Sequence, residues 1–169
     1  MGAYLFTSLP ILILASAAQA SVVPQIRILG GGPDLVFLAV LSWSVNSEFD
    51  ESLTWALVGG ILQDLLSAAP TGTSALGLIV VVFIVHLLNQ GLYRVGLPLL
   101  TLLVVTGTVI KEFIFALTMI LTGMTGDFVN LFSYVIVPTA LYNLALIAPA
   151  YIILRQIQKR LTREKRVFY

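Results

Sequence analysis

Residues 97–122 read LPLLTLLVVTGTVIKEFIFALTMILT, an apolar run broken only by the adjacent charges Lys111 and Glu112. A helix rising 1.5 Å per residue needs about 20 such residues to cross a bilayer core of about 30 Å. Backbone placed in hydrocarbon must satisfy its own N–H and C=O groups, so the run reads as a transmembrane helix with length to spare for tilt. The flanks agree: Gly123 and Gly126-Asp127 mark a turn on one side, and Arg94 sits in a short loop on the other.

Outward from this run the pattern repeats. Apolar segments at 3–23, 34–46, 53–69, 74–92 and 129–154 are separated by Pro24 and Gly30-Gly31-Gly32-Pro33, the acidic Glu48-Phe49-Asp50-Glu51, and Pro70-Thr71-Gly72. Pro138 and Pro149 fall inside the last segment. The expected fold is therefore an all-α polytopic membrane protein, a bundle of six transmembrane helices over residues 1–154. Five spans are the alternative if the short 34–46 segment packs as a half-helix. Residues 5–14 followed by Ala18-Gln19-Ala20 also have the form of a cleavable signal peptide. No Lys or Arg precedes them, which favours a retained span.

Composition supports this class. Of 169 residues, 59% are hydrophobic and 10% charged, against roughly 45–50% and 25% in soluble domains. Mean hydropathy is +1.01. A small soluble domain cannot bury that much apolar surface. A soluble enzyme, a disordered chain and a nucleic-acid binder with a broad basic face are excluded. The lack of cysteine removes disulfides, thiolate metal sites and thiol nucleophiles.

The net charge of +1 conceals a polarity. Arg155, Lys159, Arg160, Arg163, Lys165 and Arg166 follow the last span, Arg94 falls on the same side, and Arg27 lies opposite. Basic loops stay inside, so both termini are expected in the cytoplasm, with the acidic 48–51 loop beside them. Residues 155–169 form a basic amphipathic tail suited to anionic lipid.

Three ionisable residues fall at membrane depth: Asp64, Lys111 and Glu112. Each costs roughly 2.5–3.5 kcal/mol on insertion scales. Counted from a common face, Asp64 lies ~16 Å and Lys111 ~21 Å deep, so an Asp64–Lys111 ion pair locking the bundle is expected. A proton relay or substrate pocket is the competing reading. Glu112 shares a face with Thr101, Val105 and Thr108, a stripe suited to a helix–helix seam.

Other polar groups are read as interfacial or packing features. His86, Asn89 and Gln90 form a patch near Arg94, and a lone histidine does not make a metal site. Tyr134, Pro138 and Tyr142 recur every four residues beside Asn143, and either line a cavity or pack on a neighbour. That face and the Gly59-Gly60 seam are the candidate partner-contact or packing surfaces. No Gly-x-Ser-x-Gly turn is present. An Asp64–Asp127 dyad would need an aspartate from a turn at the membrane edge. The expectation is a protein that is not an enzyme and holds no metal or cofactor.

Gly32-Pro33-Asp34 opening an apolar span with Trp43, then Gly59-Gly60-Ile61-Leu62-Gln63-Asp64-Leu65-Leu66-Ser67, Pro70-Thr71-Gly72 and Ala75-Leu76-Gly77 together resemble the rod shape-determining protein MreD family. The closing Pro138-Thr139-Ala140-Leu141-Tyr142-Asn143 is similar too. The motif positions are Pro33, Asp34, Gly60, Asp64, Ser67, Gly72 and Gly77. Gly32 replaces the family's usual Arg, and the 48–51 loop is acidic where the family more often carries Arg.

The resemblance implies a non-catalytic subunit of the bacterial cytoplasmic membrane that works in side-wall elongation. It would hold MreC, alongside the actin-like MreB, the glycosyltransferase RodA and its penicillin-binding transpeptidase. It also implies a fold similar to the six-helix substrate-binding subunits of energy-coupling-factor transporters. A transporter subunit of that type is the alternative function. The 24–34 loop offers only Gln25, Arg27 and Asp34 towards a pocket, which favours the scaffold.

Overall fold

The computed structural model describes residues 2–67, 70–89, 96–122 and 132–165. The described residues form six helices and no strand. They are α1 (Gly2–Ser21), α2 (Leu35–Ser44), α3 (Phe49–Leu65), α4 (Thr73–Asn89), α5 (Leu97–Leu121) and α6 (Val137–Lys165). A 3-10 turn, Val23–Gln25, carries Pro24 after α1, and one π-helical turn, Phe132–Ile136, leads into α6.

Three segments are long and apolar enough to cross a membrane: Ser8–Gln25, Pro98–Leu121 and Tyr134–Leu161. The outward surface is apolar, with Leu14, Leu65, Phe113, Leu121 and Leu141 all exposed. This is the exterior of a bundle whose solvent is lipid. α3 and α4 are shorter, at 17 residues each.

The 34–46 segment is shorter than a span. Its helix, α2, has 10 residues, about 15 Å of length. Every residue from Val36 to Ser44 is buried. α2 is in contact with all five other helices, so it is the axis on which the bundle is assembled. Around it pack Trp55, Leu78, Val81, Val82, Val85 and Val104. Trp43 of α2 stacks on Trp55 of α3, with centroids 4.0 Å apart and planes at 14°.

Consecutive helices alternate in direction. The start of α2 meets Gln19 near the end of α1, and its end meets His86 and Asn89 near the end of α4. Along α5, Gly107 lies against Phe37 and Val81, while Lys111 lies against Asp34 and Gly77. α6 passes Asp34 at Asn143 and Trp43 at Gln158. The beginning of α1 and the end of α6 therefore share one end of the bundle. α6 runs on without a break through residues 155–165.

α3 and α4 form the closest seam. A Cβ on Gly60 would run into the backbone of Ala75, so only glycine allows this approach.

Candidate functional site

A helix that ends inside a bundle leaves backbone groups that water cannot reach. At the start of α2, Asp34 supplies the cap: its Oδ1 accepts from the Phe37 amide at 3.0 Å. The Asp34 amide donates to Asn143 Oδ1 at 2.8 Å, and the Leu35 amide to Gln19 Oε1 at 2.6 Å. Gln63 Nε2 donates to Asp34 Oδ1 at 3.2 Å, and Asn143 Nδ2 to Thr108 Oγ1 at 3.0 Å. Lys111 Nζ forms an ion pair with Asp34 Oδ2. Side chains of α3, α5 and α6 thus converge on one aspartate that is 4% exposed, and α1 holds the amide of the residue after it.

The far end of α2 is closed in the same way. Gln158 Nε2 and Ser47 Oγ donate to the Trp43 carbonyl at 3.2 and 2.8 Å, and Asn89 Nδ2 to the Val45 carbonyl at 3.1 Å. His86 Nε2 lies 3.2 Å from the Ser47 carbonyl, and its ring meets Phe49 edge-on at 5.3 Å. Trp43 Nε1 donates to Glu51 Oε1 at 3.0 Å. The polar patch read at residues 86–89 therefore helps close the end of α2. Gln90, Arg94 and Asp127 lie outside the described residues.

The expected Asp64–Lys111 pair is not formed; depth alone could not choose between two carboxylates, and the lysine reaches Asp34. Asp64, also buried, instead accepts from the Gly72 amide at 2.7 Å and the Ser74 amide at 3.1 and 3.2 Å. A carboxylate there satisfies free amides at the N-terminus of α4 and meets the positive end of its dipole. Gly72 has φ +101°, a left-handed turn that brings its amide to Asp64. Ser67 Oγ donates to the Asp64 carbonyl at 3.2 Å.

Gly59 and Gly60 are buried, Gly59 against Val36 and Leu12. The Tyr134–Asn143 face divides. Asn143 is fully buried at α2, Tyr142 donates its hydroxyl to the Ile26 carbonyl at 2.6 Å, and Tyr134 is exposed. Glu112 is partly buried and carries no hydrogen bond or ion pair among the described residues.

Sequence reasoning missed the role of Asp34 as the hub, with Gln19, Gln63 and Thr108 around it. Pro33-Asp34 before an apolar run was the available signal, since it is the form of a helix cap.

Beside Asp34 opens a cavity of about 410 Å³, bordered by all the helices except the body of α2. Ser16, Arg27, Gln63, Lys111, Glu112 and Thr139 are among its lining residues.

The family model of rod shape-determining protein MreD matches residues 3–161. The chain belongs to the MreD family. Searches give no significant match to a curated protein or to a solved structure. In this MreD family member the motif positions have local physical roles. Asp34 caps α2, Asp64 caps α4, Gly60 admits Ala75, and Gly77 lies against the stem of Lys111. The MreD family belongs to the rod-shape system of the membrane, and the apolar helices found here agree with that location.

Proposed function

We propose that this protein is a non-catalytic subunit of the bacterial cell-wall elongation complex. It holds MreC and so supports RodA and its penicillin-binding transpeptidase, with MreB on the cytoplasmic side. The match to the MreD family across 3–161 carries this reading. The architecture supports it: many of the bundle's buried polar side chains fix a central helix, which suits a rigid platform for a partner helix. In the membrane, the chain ends and the acidic residues 48–51 lie in the cytoplasm, and the end of α6 rests on anionic lipid. Asp64 and Lys111 act in holding the bundle through their bonded partners, and Glu112 through the field of Lys111 beside it.

Tagged full-length protein extracted from its native membrane should recover single-span MreC as the main partner. Recovery of an ATPase pair with a bound vitamin instead would overturn the reading. That outcome belongs to the second reading, a substrate-binding transporter subunit, which the cavity beside Asp34 favours.

A further inference from the structure

Residues 26–31 fold into a short hairpin between α1 and α6. Ile28 and Gly31 exchange backbone hydrogen bonds at 2.9 and 3.0 Å, and Leu29-Gly30 forms the tip. Among the described residues no Cα of α1 lies within 8 Å of one in α6. The hairpin follows α1 and packs on the start of α6, so it bridges this opening at the end where α2 begins. Its glycines face inward: Gly30 lies against the Tyr134 carbonyl, and a Cβ on Gly31 would run into the Val135 carbonyl and Pro138. Its aliphatic residues face out. Ile26, Ile28 and Leu29 are 44%, 55% and 66% exposed.

Two features of the hairpin decide what covers its exposed side. It lies along the flank of α6, not above it. Tyr142 donates its hydroxyl to the Ile26 carbonyl at 2.6 Å, and Tyr142 lies about 12 Å along the helix axis from Tyr134, where the apolar segment begins. The exposed aliphatics are thus continuous with Tyr134, Val137 and Leu141, the lipid-facing side of α6. The second feature is the tip itself. Leu29 has φ +57°, a left-handed conformation that glycine and asparagine adopt readily and leucine rarely. A strained turn that presents a leucine, where a smaller residue would relax it, points to a use for that side chain.

We propose that the 26–31 hairpin is a membrane anchor. Its tip, Ile28 and Leu29, sits in the headgroup–acyl boundary of the leaflet at that end of the bundle, about 5–10 Å deep. Arg27, exposed beside it, meets lipid phosphate and limits the depth. The backbone suits this place, since lipid-facing peptide groups must be satisfied within the protein. Ile28 and Gly31 satisfy each other, and Tyr142 satisfies the Ile26 carbonyl. The hairpin runs directly into Pro33-Asp34, so it holds the start of α2 at a fixed height in the bilayer. This goes beyond the scaffold role and does not depend on which partner the bundle holds.

The chain has no cysteine, so Ile28→Cys and Leu29→Cys in the full-length protein each place one environment-sensitive fluorophore on the tip. In phosphatidylcholine nanodiscs, which leave both faces open to solvent, both labels should resist quenching by iodide. Lipids brominated near the top of the acyl chain should quench them more strongly than lipids brominated at its end. Leu29→Asn keeps the left-handed turn and removes the apolar tip. It should reduce lipid quenching of the label at residue 28 and raise its quenching by iodide. A hairpin reaching into water would give iodide quenching at both positions without lipid quenching. A hairpin covered by a second copy of the chain would resist both quenchers. Either result, or unchanged lipid quenching in the Leu29→Asn chain, would overturn the proposal.

Discussion

Lys111 of α5 donates its ammonium to Asp34, the cap of α2, across 77 positions of sequence. The pair joins a long lipid-facing helix to the short helix at the bundle's axis. It also explains how two charges persist in an apolar interior: each is the other's counter-ion, and the remaining oxygen of Asp34 is held by an amide and by Gln63. Breaking such a pair from one side leaves a bare charge, which costs about 3–5 kcal/mol, far more than removing both.

Asp34→Asn and Lys111→Met should each lower the thermal stability of the detergent-solubilised protein strongly, and the double variant should lose less than the sum. Asn at 34 keeps an acceptor for the Phe37 amide, so capping is largely preserved and the cycle reports the charges. The parallel cycle of Asp64→Asn with Lys111→Met should show weaker coupling, because Asp64 is hydrogen-bonded to the amides of Gly72 and Ser74 and acts on Lys111 only through its field. Stronger coupling of Lys111 to Asp64 than to Asp34 would reject this assignment.

Two glycines of the same motif should fail for different reasons. Gly60→Ala puts a methyl into the backbone of Ala75, so α3 and α4 must separate and the cost should reach several kcal/mol. Gly72→Ala meets no neighbour within 4 Å. It pays only for a left-handed φ, about 1–2 kcal/mol. Melting temperatures should fall much further for the first variant than for the second. A reversed order would mean that the turn, not the seam, limits packing.

The closed end of α2 predicts a graded response. Asn89→Leu leaves the Val45 carbonyl without its side-chain donor, and Gln158→Leu removes donors from both Trp43 and Ser47. Each lost buried bond costs about 1–3 kcal/mol. Both variants should expose more of α2 to hydrogen exchange at residues 43–47 while leaving residues 34–37 protected. Uniform exchange along α2 would show that its two ends are not held independently.

The sequence carried much of this architecture but not its centre. Apolar length is a local property, so residues 97–122 announced a helix that the structure has at Leu97–Leu121. The same criterion made 34–46 a short span. It could not reveal that α2 lies inside the bundle, because helix facing lipid and helix facing helix are equally apolar. Partner choice was harder still. Depth placed Asp64 and Lys111 near each other, but side-chain reach and the amides at the start of α4 decide where each charge goes. Asp34 opens the 34–46 run and also closes the 24–34 loop, and neither placement tells which buried cation it meets.

The alternation of the six helices puts the Val23–Gln25 turn and residue 159 at opposite ends of the bundle. That makes the proposed membrane orientation measurable. The chain has no cysteine, so single substitutions give one thiol each without further engineering. Gln25→Cys, at an exposed position next to the cavity end, should react in intact cells with a membrane-impermeant maleimide. Lys159→Cys, exposed near the end of α6, should react only after the membrane is opened. Seven of the nine basic residues lie on the side assigned to the cytoplasm, and that asymmetry sets the expected sign. Labelling of both sites from the outside would contradict the alternation itself. Labelling of residue 159 alone would keep the bundle and invert it. The cavity beside Asp34 would then face the cytoplasm.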